Sequence, residues 1–149
     1  MALCQDRADV ACRPCIGRPG VPPHDLKVFC FHGKAHLINV IQDRFGEVRS
    51  NSFDVNWNLL PFVFNKKRGT EIPDRPDNLH ELLRIAEKLA HGFEYVSVGL
   101  YNVDGRIYFG EMTFTTANGN GRFNPHSGDV MVGRLWQQSE AALSISEKV

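Results

Sequence analysis

The carboxylate of Glu111 is the side chain of this sequence whose type and position best suit chemistry. It lies in residues 106–114, RIYFGEMTF, whose alternation of side chains predicts a β-strand. Strict alternation would place Glu111 on one face together with Ile107, Phe109 and Thr113. A carboxylate on a mainly apolar face must be paired, bound to a metal or at the rim, because burying it alone is costly.

Two interpretations of Glu111 follow from its position. It is a ligand for a hard cation such as Mg²⁺, which prefers carboxylate and phosphate oxygens. Alternatively, it is a solvated glutamate, or the partner of Lys27 or Arg44. Lys27 and Lys34 could each meet a phosphate as a point charge, or could each be an ordinary surface lysine.

A glycine-containing loop follows the strand of Glu111. Gly119, Asn120 and Gly121 could expose backbone N–H groups to an anion, because glycine lets the backbone approach a phosphate closely. The loop lacks the G-K-[ST] ending of a P-loop, so an ordinary flexible loop is the alternative.

The cysteines add a second motif of uncertain chemistry. Cys12 and Cys15 form a C-x-x-C pair, and Cys4 and His24 could be proposed to complete a zinc site, although they do not form a second ligand motif. A thioredoxin-like motif would open a helix, which the prolines at 19, 22 and 23 oppose. The remaining interpretation is an irregular leader over residues 1–24 with free thiols.

Composition excludes several classes of protein. The 149 residues suffice for one domain, and 17 basic residues balance 17 acidic ones. A neutral chain without a basic run gives no footprint for nucleic acid or for a membrane surface. No run of about 18 apolar residues predicts a transmembrane helix, and no secretory signal is recognisable, so a cytoplasmic location is expected.

The elements that must position these residues follow from periodicity. Residues 26–32 and 35–42 predict a first β-hairpin, and residues 51–57 a third strand. Residues 78–90 predict a helix with an Asn78–Glu81 capping box. Residues 95–103 and 106–114 predict a second hairpin around an Asp104-Gly105 type I′ turn.

This order predicts an α+β fold, in which an antiparallel sheet built from two hairpins carries packing helices on one face. Residues 58–64 are expected to be irregular but packed, and residues 65–77 to form a loop. A final helix is expected over residues 129–145.

Five segments in order resemble the TupA-like ATP-grasp family. They are DLKVFCFHGKAHLI, FDVNWNLLPF, NLHELLRIAEKLAHGFEYV, VGLYNVDGRIYFGEMTF and FNP, within about residues 25–135. That family is associated with bacterial cell-surface polysaccharide and teichuronopeptide synthesis, and its members are often labelled glycosyltransferases. The resemblance implies the C-terminal subdomain of an ATP-grasp fold over residues 25–145, with the upstream nucleotide-clamping subdomain not recognisable in residues 1–24.

The resemblance also implies ligands and roles. ATP would lie between two subdomains, Mg²⁺ would bridge its phosphates, and a carboxylate would be joined to a nucleophile through an acylphosphate. Glu111 matches the metal-binding glutamate, Thr113 the position of a further oxygen ligand, and Lys27 the lysine of a D-Y-K-F segment.

Two positions depart from the family pattern V-R-V-D-L-Y. Ser97 stands where an arginine is expected, and Gly99 where the second metal carboxylate is expected. Glycine has no side-chain oxygen, and serine cannot supply the positive charge with which arginine stabilises a phosphoryl group.

Three hypotheses follow. The chain is an ATP-grasp-type protein of polysaccharide assembly, corresponding to part of the full family protein, with ATP, Mg²⁺ and a sugar or amino-acid acceptor as ligands. Alternatively, it is a non-catalytic remnant or binding module. A glycosyltransferase is the third hypothesis, although the sequence has no D-x-D motif. Exposed apolar surface on a partial domain further predicts self-association.

Overall fold

The computed structural model describes residues 23–42 and 46–136. Eight β-strands and two α-helices form within these residues. The strands are β1 (Asp25–Phe31), β2 (Lys34–Gln42), β3 (Arg49–Asp54), β4 (Val63–Phe64), β5 (Lys67–Arg68), β6 (Tyr95–Val103), β7 (Arg106–Thr113) and β8 (Phe123–Asn124), and the helices are α1 (Leu79–Ala90) and α2 (Ser127–Trp136).

Six strands form a central sheet in the order β5-β3-β2-β1-β6-β7, and β4 pairs with β8 separately. The two predicted hairpins, β1–β2 and β6–β7, are joined because β1 pairs antiparallel with β6. Only β5 runs parallel to its neighbour, β3. The predicted α+β fold with an antiparallel sheet built from two hairpins is therefore confirmed.

Helix α1 covers one face of the central sheet. Its apolar side chains recur at helical spacing and meet the inward side chains of β1, β2, β3 and β6. The buried cluster so formed contains Leu26, Val28, Cys30, Ile38, Val40, Phe53, Leu79, Leu82, Ala86, Ala90, Val96, Val98 and Leu100.

The opposite face carries a second, mainly aromatic cluster. Val132 of α2 packs there with side chains of β1, β2, β4 and β8. Its buried members are Phe29, Phe31, Leu37, Phe62, Phe64, Phe123 and Val132. The prediction that the helices share one face is therefore wrong: α1 and α2 lie on opposite faces, because β1 is apolar on both sides and needs cover from both.

Several boundaries differ from those that periodicity predicted. Strand β3 ends at Asp54, whose carboxylate accepts hydrogen bonds from the backbone N–H groups of Asn56 and Asn58, both at 2.8 Å. That turn brings Trp57 back onto Phe53, with ring centroids 4.5 Å apart in a stacked arrangement. The expected strand through residue 57 is thus replaced by a turn stabilised by a carboxylate.

The predicted capping box at the start of α1 is also wrong. Asn78 occupies the N-cap position but makes no side-chain cap bond. Its amide instead donates to the Gly105 carbonyl at 3.0 Å, and Asn102 donates to its oxygen at 2.6 Å. Tertiary partners have outcompeted the local cap, and they tie α1 to the turn of the second hairpin.

Other predictions hold or lie outside the described residues. Asp104 and Gly105 have φ of 50° and 77°, as the type I′ turn requires. Helix α2 begins at Ser127, two residues earlier than predicted, and is described to Trp136. The leader with Cys4, Cys12 and Cys15, and residues 137–145, lie outside the described residues.

Candidate functional site

A β-bulge at Gly110 decides where Glu111 points. Glu111 pairs with Gly99 and Phe109 pairs with Leu100, so Gly110 is the extra residue of β7. The bulge reverses the alternation of side chains beyond it. Glu111 therefore lies on the face opposite α1, and the expectation that it shares a face with Ile107 and Phe109 is wrong.

Close packing makes glycine necessary at this bulge. A Cβ atom at Gly110 would lie 3.0 Å from a ring carbon of Tyr101 and 3.1 Å from the carbonyl oxygen of Gly99. A larger residue would have to displace either the ring or the neighbouring backbone. Gly110 thus positions the carboxylate that follows it.

A row of polar residues crosses five strands of the sheet on this face. Register places the five residues side by side from β3 to β7: Ser52, Asn39, Lys27, Gly99 and Glu111. We call this set the polar row. The Ser52 hydroxyl donates to the amide oxygen of Asn39 at 3.3 Å, and both residues are buried. Sequence reasoning missed these two residues, although Asn39 interrupts an apolar strand and was a readable signal.

Lys27, in the middle of the polar row, forms an ion pair with Glu111 at its end on β7. The Lys27 ammonium also lies 3.9 Å from a carboxylate oxygen of Asp25. The Lys27 side chain is 18% exposed and that of Glu111 60% exposed, so the pair opens to solvent at the Glu111 side. This contact confirms one of the two interpretations of Glu111, that it is a partner of Lys27.

The next row along the sheet contains Thr113. It pairs with Ser97 on β6, which pairs in turn with Phe29 on β1. The Ser97 hydroxyl is buried and has no hydrogen-bond partner among the described residues. A buried polar atom of this kind calls for a ligand or a water molecule.

A cavity of about 290 Å³ adjoins this second row. Aromatic rings form most of its wall, and Thr115, Thr116 and Asp129 add polar groups. The rings belong to Phe29, Phe31, Phe64, Tyr95, Phe114, Phe123 and Trp136. We call it the aromatic cavity. The Tyr95 and Trp136 rings stack with centroids 4.8 Å apart, and the Tyr95 hydroxyl is hydrogen bonded to Thr116.

The loop after β7 forms the rim of the aromatic cavity. Gly119 has φ of 77°, which glycine adopts without strain. Gly121 packs against Phe64 so closely that a Cβ atom would lie 2.2 Å from the ring. Gly121 therefore has a packing role, and a phosphate-binding role for the two glycines stays a prediction.

Burial perturbs two titratable groups near the site. Burial raises the pKa of the Tyr95 phenol, against the opposing effect of its hydrogen bond with Thr116. Burial, and secondly the carboxylate of Glu87, raise the pKa of the Cys30 thiol to about 12. Cys30 lies on the α1 side of β1, so it is a core residue and not a nucleophile.

Comparison of the sequence with models of protein families identifies the family of this chain. The model of the family described as TupA-like ATPgrasp matches residues 16–137. The chain belongs to the TupA-like ATP-grasp family. No curated protein and no solved structure matched the sequence. No helix in the described part of the chain is both long and apolar enough to cross a membrane.

Membership of the TupA-like ATP-grasp family raises the question of a metal ion. Glu111 and Thr113 are the residues that would supply oxygen ligands, but Glu111 pairs with Lys27 and Gly99 contributes no side-chain oxygen. Within residues 23–42 and 46–136, no group of three or more His, Cys, Asp or Glu side chains could hold a metal ion. The residues present therefore do not fit the Mg²⁺ site that the family pattern predicts from Glu111 and a carboxylate at position 99.

Proposed function

We propose that this chain binds the phosphates of ATP at the polar row and acts as an ATP-grasp-type protein in the cytoplasmic assembly of cell-surface polysaccharide. The observation that supports this most directly is the meeting of Lys27 and Glu111 on the face of the sheet that α1 leaves uncovered. Family membership supports the nucleotide, and the polysaccharide role follows from the association of the family.

The polar row offers a polyphosphate one positively charged group, the ammonium of Lys27. Lysine binds phosphate as a mobile point charge, and Lys27 lies on the inner strand β1 with its ammonium against the exposed carboxylate of Glu111. Turning from Glu111 to a phosphate oxygen exchanges one ionic contact for another. Mg²⁺ is the family's usual companion of ATP, but with Gly99 in place of a carboxylate its binding here is not supported by the ligand set.

The aromatic cavity supplies a place for a ring-shaped part of a ligand. Flat apolar walls with a few hydroxyls suit a sugar ring or a nucleobase, since binding sites are mostly apolar with a few placed polar groups. We propose that the acceptor is a sugar or an amino acid, held between the aromatic cavity and the polar row. Thr113 and the Ser97 hydroxyl lie at the boundary between the two.

A second candidate is a nucleotide-binding module without ligase activity. Gly99 and Ser97 favour it, because a second carboxylate and an arginine are both missing from the strand that faces Glu111. Transfer of phosphate from ATP develops negative charge that these two groups would help to stabilise. A glycosyltransferase activity rests on the family label alone.

Isothermal titration calorimetry with ATP tests the proposal. We expect micromolar affinity for the unaltered protein, and at least a tenfold loss in Lys27→Met, because an ammonium–phosphate contact is removed. Lys88→Met is the matched control, since Lys88 is an exposed lysine on α1, on the other side of the sheet. Absence of saturable ATP binding, or an equal loss in both variants, would contradict it.

Release of ADP separates the two candidates. A ligase-type enzyme should form ADP when ATP is offered with a carboxylate-bearing sugar or amino acid and an amine. A binding module should bind ATP in the calorimeter and leave it intact. ADP formation that disappears in Glu111→Gln but persists in the control Glu81→Gln would favour the enzyme.

A further inference from the structure

The absence of a side chain at Gly99 changes what surrounds Glu111. Lys27 and Glu111 lie on β1 and β7, which are separated by β6, so their backbones are about 10 Å apart. Gly99 is the residue of β6 between them. A Cβ atom there would lie 3.1 Å from Cγ of Glu111, so any larger residue at this position would lie beside the Glu111 side chain.

Glu111 takes this space, and the ammonium of Lys27 reaches its carboxylate from β1. The ammonium also lies 3.9 Å from a carboxylate oxygen of Asp25. Two carboxylates therefore surround one positive charge, with the Asp25 side chain nearly buried at 9% exposure. Such a group of opposed charges is the usual environment of a bound cation.

From this geometry we propose that the Lys27 ammonium is the resident cation of the site. It takes the position that a divalent metal ion would occupy between Asp25 and Glu111, and the chain does not bind Mg²⁺ there. The proposal refines the proposed function, on which its meaning for ATP rests, but the cation preference itself does not depend on a nucleotide.

Physical reasons favour the lysine over a metal ion. The ammonium is held by the chain, so its pairing with Glu111 costs no translational freedom, whereas a free ion must pay that cost. Mg²⁺ also gives up its water reluctantly and requires near-octahedral oxygen ligands. With Gly99 in place of a carboxylate, the site offers too little to displace the lysine.

Removing the ammonium should therefore create a metal site. Lys27→Met keeps most of the length of the side chain but removes the positive charge beside the carboxylates of Asp25 and Glu111. Electron paramagnetic resonance can follow Mn²⁺ as a stand-in for Mg²⁺, with no nucleotide present. We expect Mn²⁺ to bind the polar row of the unaltered protein only weakly, without saturation. In Lys27→Met we expect saturable Mn²⁺ binding with an affinity at least tenfold above that weak level. The control Lys88→Met should behave as the unaltered protein.

Two further measurements fix the outcome. Lys27→Met/Glu111→Gln should lose the gained Mn²⁺ binding, and Mn²⁺ should raise the melting temperature of Lys27→Met alone, because a ligand that binds only the folded state stabilises it. Folded Lys27→Met without a gain would overturn the proposal. Mn²⁺ binding by the unaltered protein that disappears in Glu111→Gln would overturn it as well, and this result needs no Lys27 variant to fold. Failure of ATP binding would contradict the proposed function and leave these Mn²⁺ results standing.

Discussion

The ammonium of Lys27 contacts the carboxylate of Glu111 across Gly99, although the two residues lie on strands that are not neighbours in the sheet. The contact depends on two glycines. Gly99 leaves room for Cγ of Glu111 beside it, and the bulge at Gly110 turns Glu111 to the face that carries Lys27. Substitution of either glycine tests this dependence directly.

Gly99→Asp should convert the site to one that prefers a divalent cation. The new carboxylate would crowd Cγ of Glu111 at first, but that atom belongs to a flexible side chain that can shift. We expect Mn²⁺ affinity to rise at least tenfold, measured by electron paramagnetic resonance. Gly133→Asp adds the same charge at an exposed helical position where a Cβ atom meets nothing within 4 Å. An equal rise in both variants would show that the effect is general charge and not the site.

Gly110→Ala should destabilise the protein by about 1–3 kcal/mol, because it overpacks a position 3.0 Å from Tyr101 and 3.1 Å from backbone. Urea denaturation followed by circular dichroism measures the free energy of unfolding. Gly133→Ala has open space and a helical position, so we expect it to be neutral or slightly stabilising. A neutral Gly110→Ala would mean that the bulge can relax or move.

The contributions of Asn78 and Asn102 to the free energy of unfolding should be coupled. Each loses the same hydrogen bond when it is replaced, so Asn78→Ala and Asn102→Ala should each cost about 1–2 kcal/mol of unfolding free energy. The double variant should cost clearly less than the sum. Additive effects in this double-mutant cycle would contradict a direct coupling between α1 and the second hairpin.

Because of Asp54, the free energy of unfolding should decrease as the pH becomes acidic. Burial acts to raise the pKa of its carboxyl, but hydrogen bonds from Asn58 and Asn56 outweigh burial and hold the folded pKa below its usual range. The carboxylate therefore stabilises the fold above the unfolded pKa, and this contribution is lost as pH falls through the lower folded pKa.

Replacement of Asp54 by asparagine removes the charge and keeps the size of the side chain, so it tests this effect. Asp54→Asn should unfold at lower urea than the unaltered protein at pH 7, by about 1 kcal/mol, since the turn is open to solvent. The gap in unfolding free energy should narrow as pH falls below the usual aspartate pKa, because protonation of Asp54 removes the charge that distinguishes it from asparagine. A gap that stays constant with pH would show that the charge of Asp54 is not the cause.

Self-association remains a prediction with a defined surface. Phe93 and Phe114 form an edge-to-face pair with centroids 5.0 Å apart, and they are 41% and 51% exposed. Paired exposed rings favour contact between copies. Light scattering after size-exclusion chromatography should show oligomers that decrease in Phe114→Ser but not in Ile72→Ser, which removes a single side chain of greater exposure, 62%. A clean monomer at high protein concentration would contradict the prediction.

The hairpins, the main helix and the candidate Glu111 were all predictable from the sequence. Each depends on short-range patterns, such as alternation in β6, helical spacing in α1 and the Asp104-Gly105 turn, which reflect the periods of strand and helix. Family membership was likewise carried by ordered local strings. These elements and the family were therefore predicted before any tertiary neighbour was known, whereas the role of Glu111 stays a prediction.

Only the tertiary structure decided which residues meet. The extra residue at Gly110 reverses the side-chain alternation, and a one-residue shift of this kind moves Glu111 to the other face of the sheet. Strand order places Lys27 and Gly99 beside it, although they are far apart along the chain. Asn78 shows the same limit, because distant Asn102 replaced its local cap. A sequence records the types of groups, but strand order and register decide their distances, and distance decides whether Glu111 meets a metal ion or a lysine.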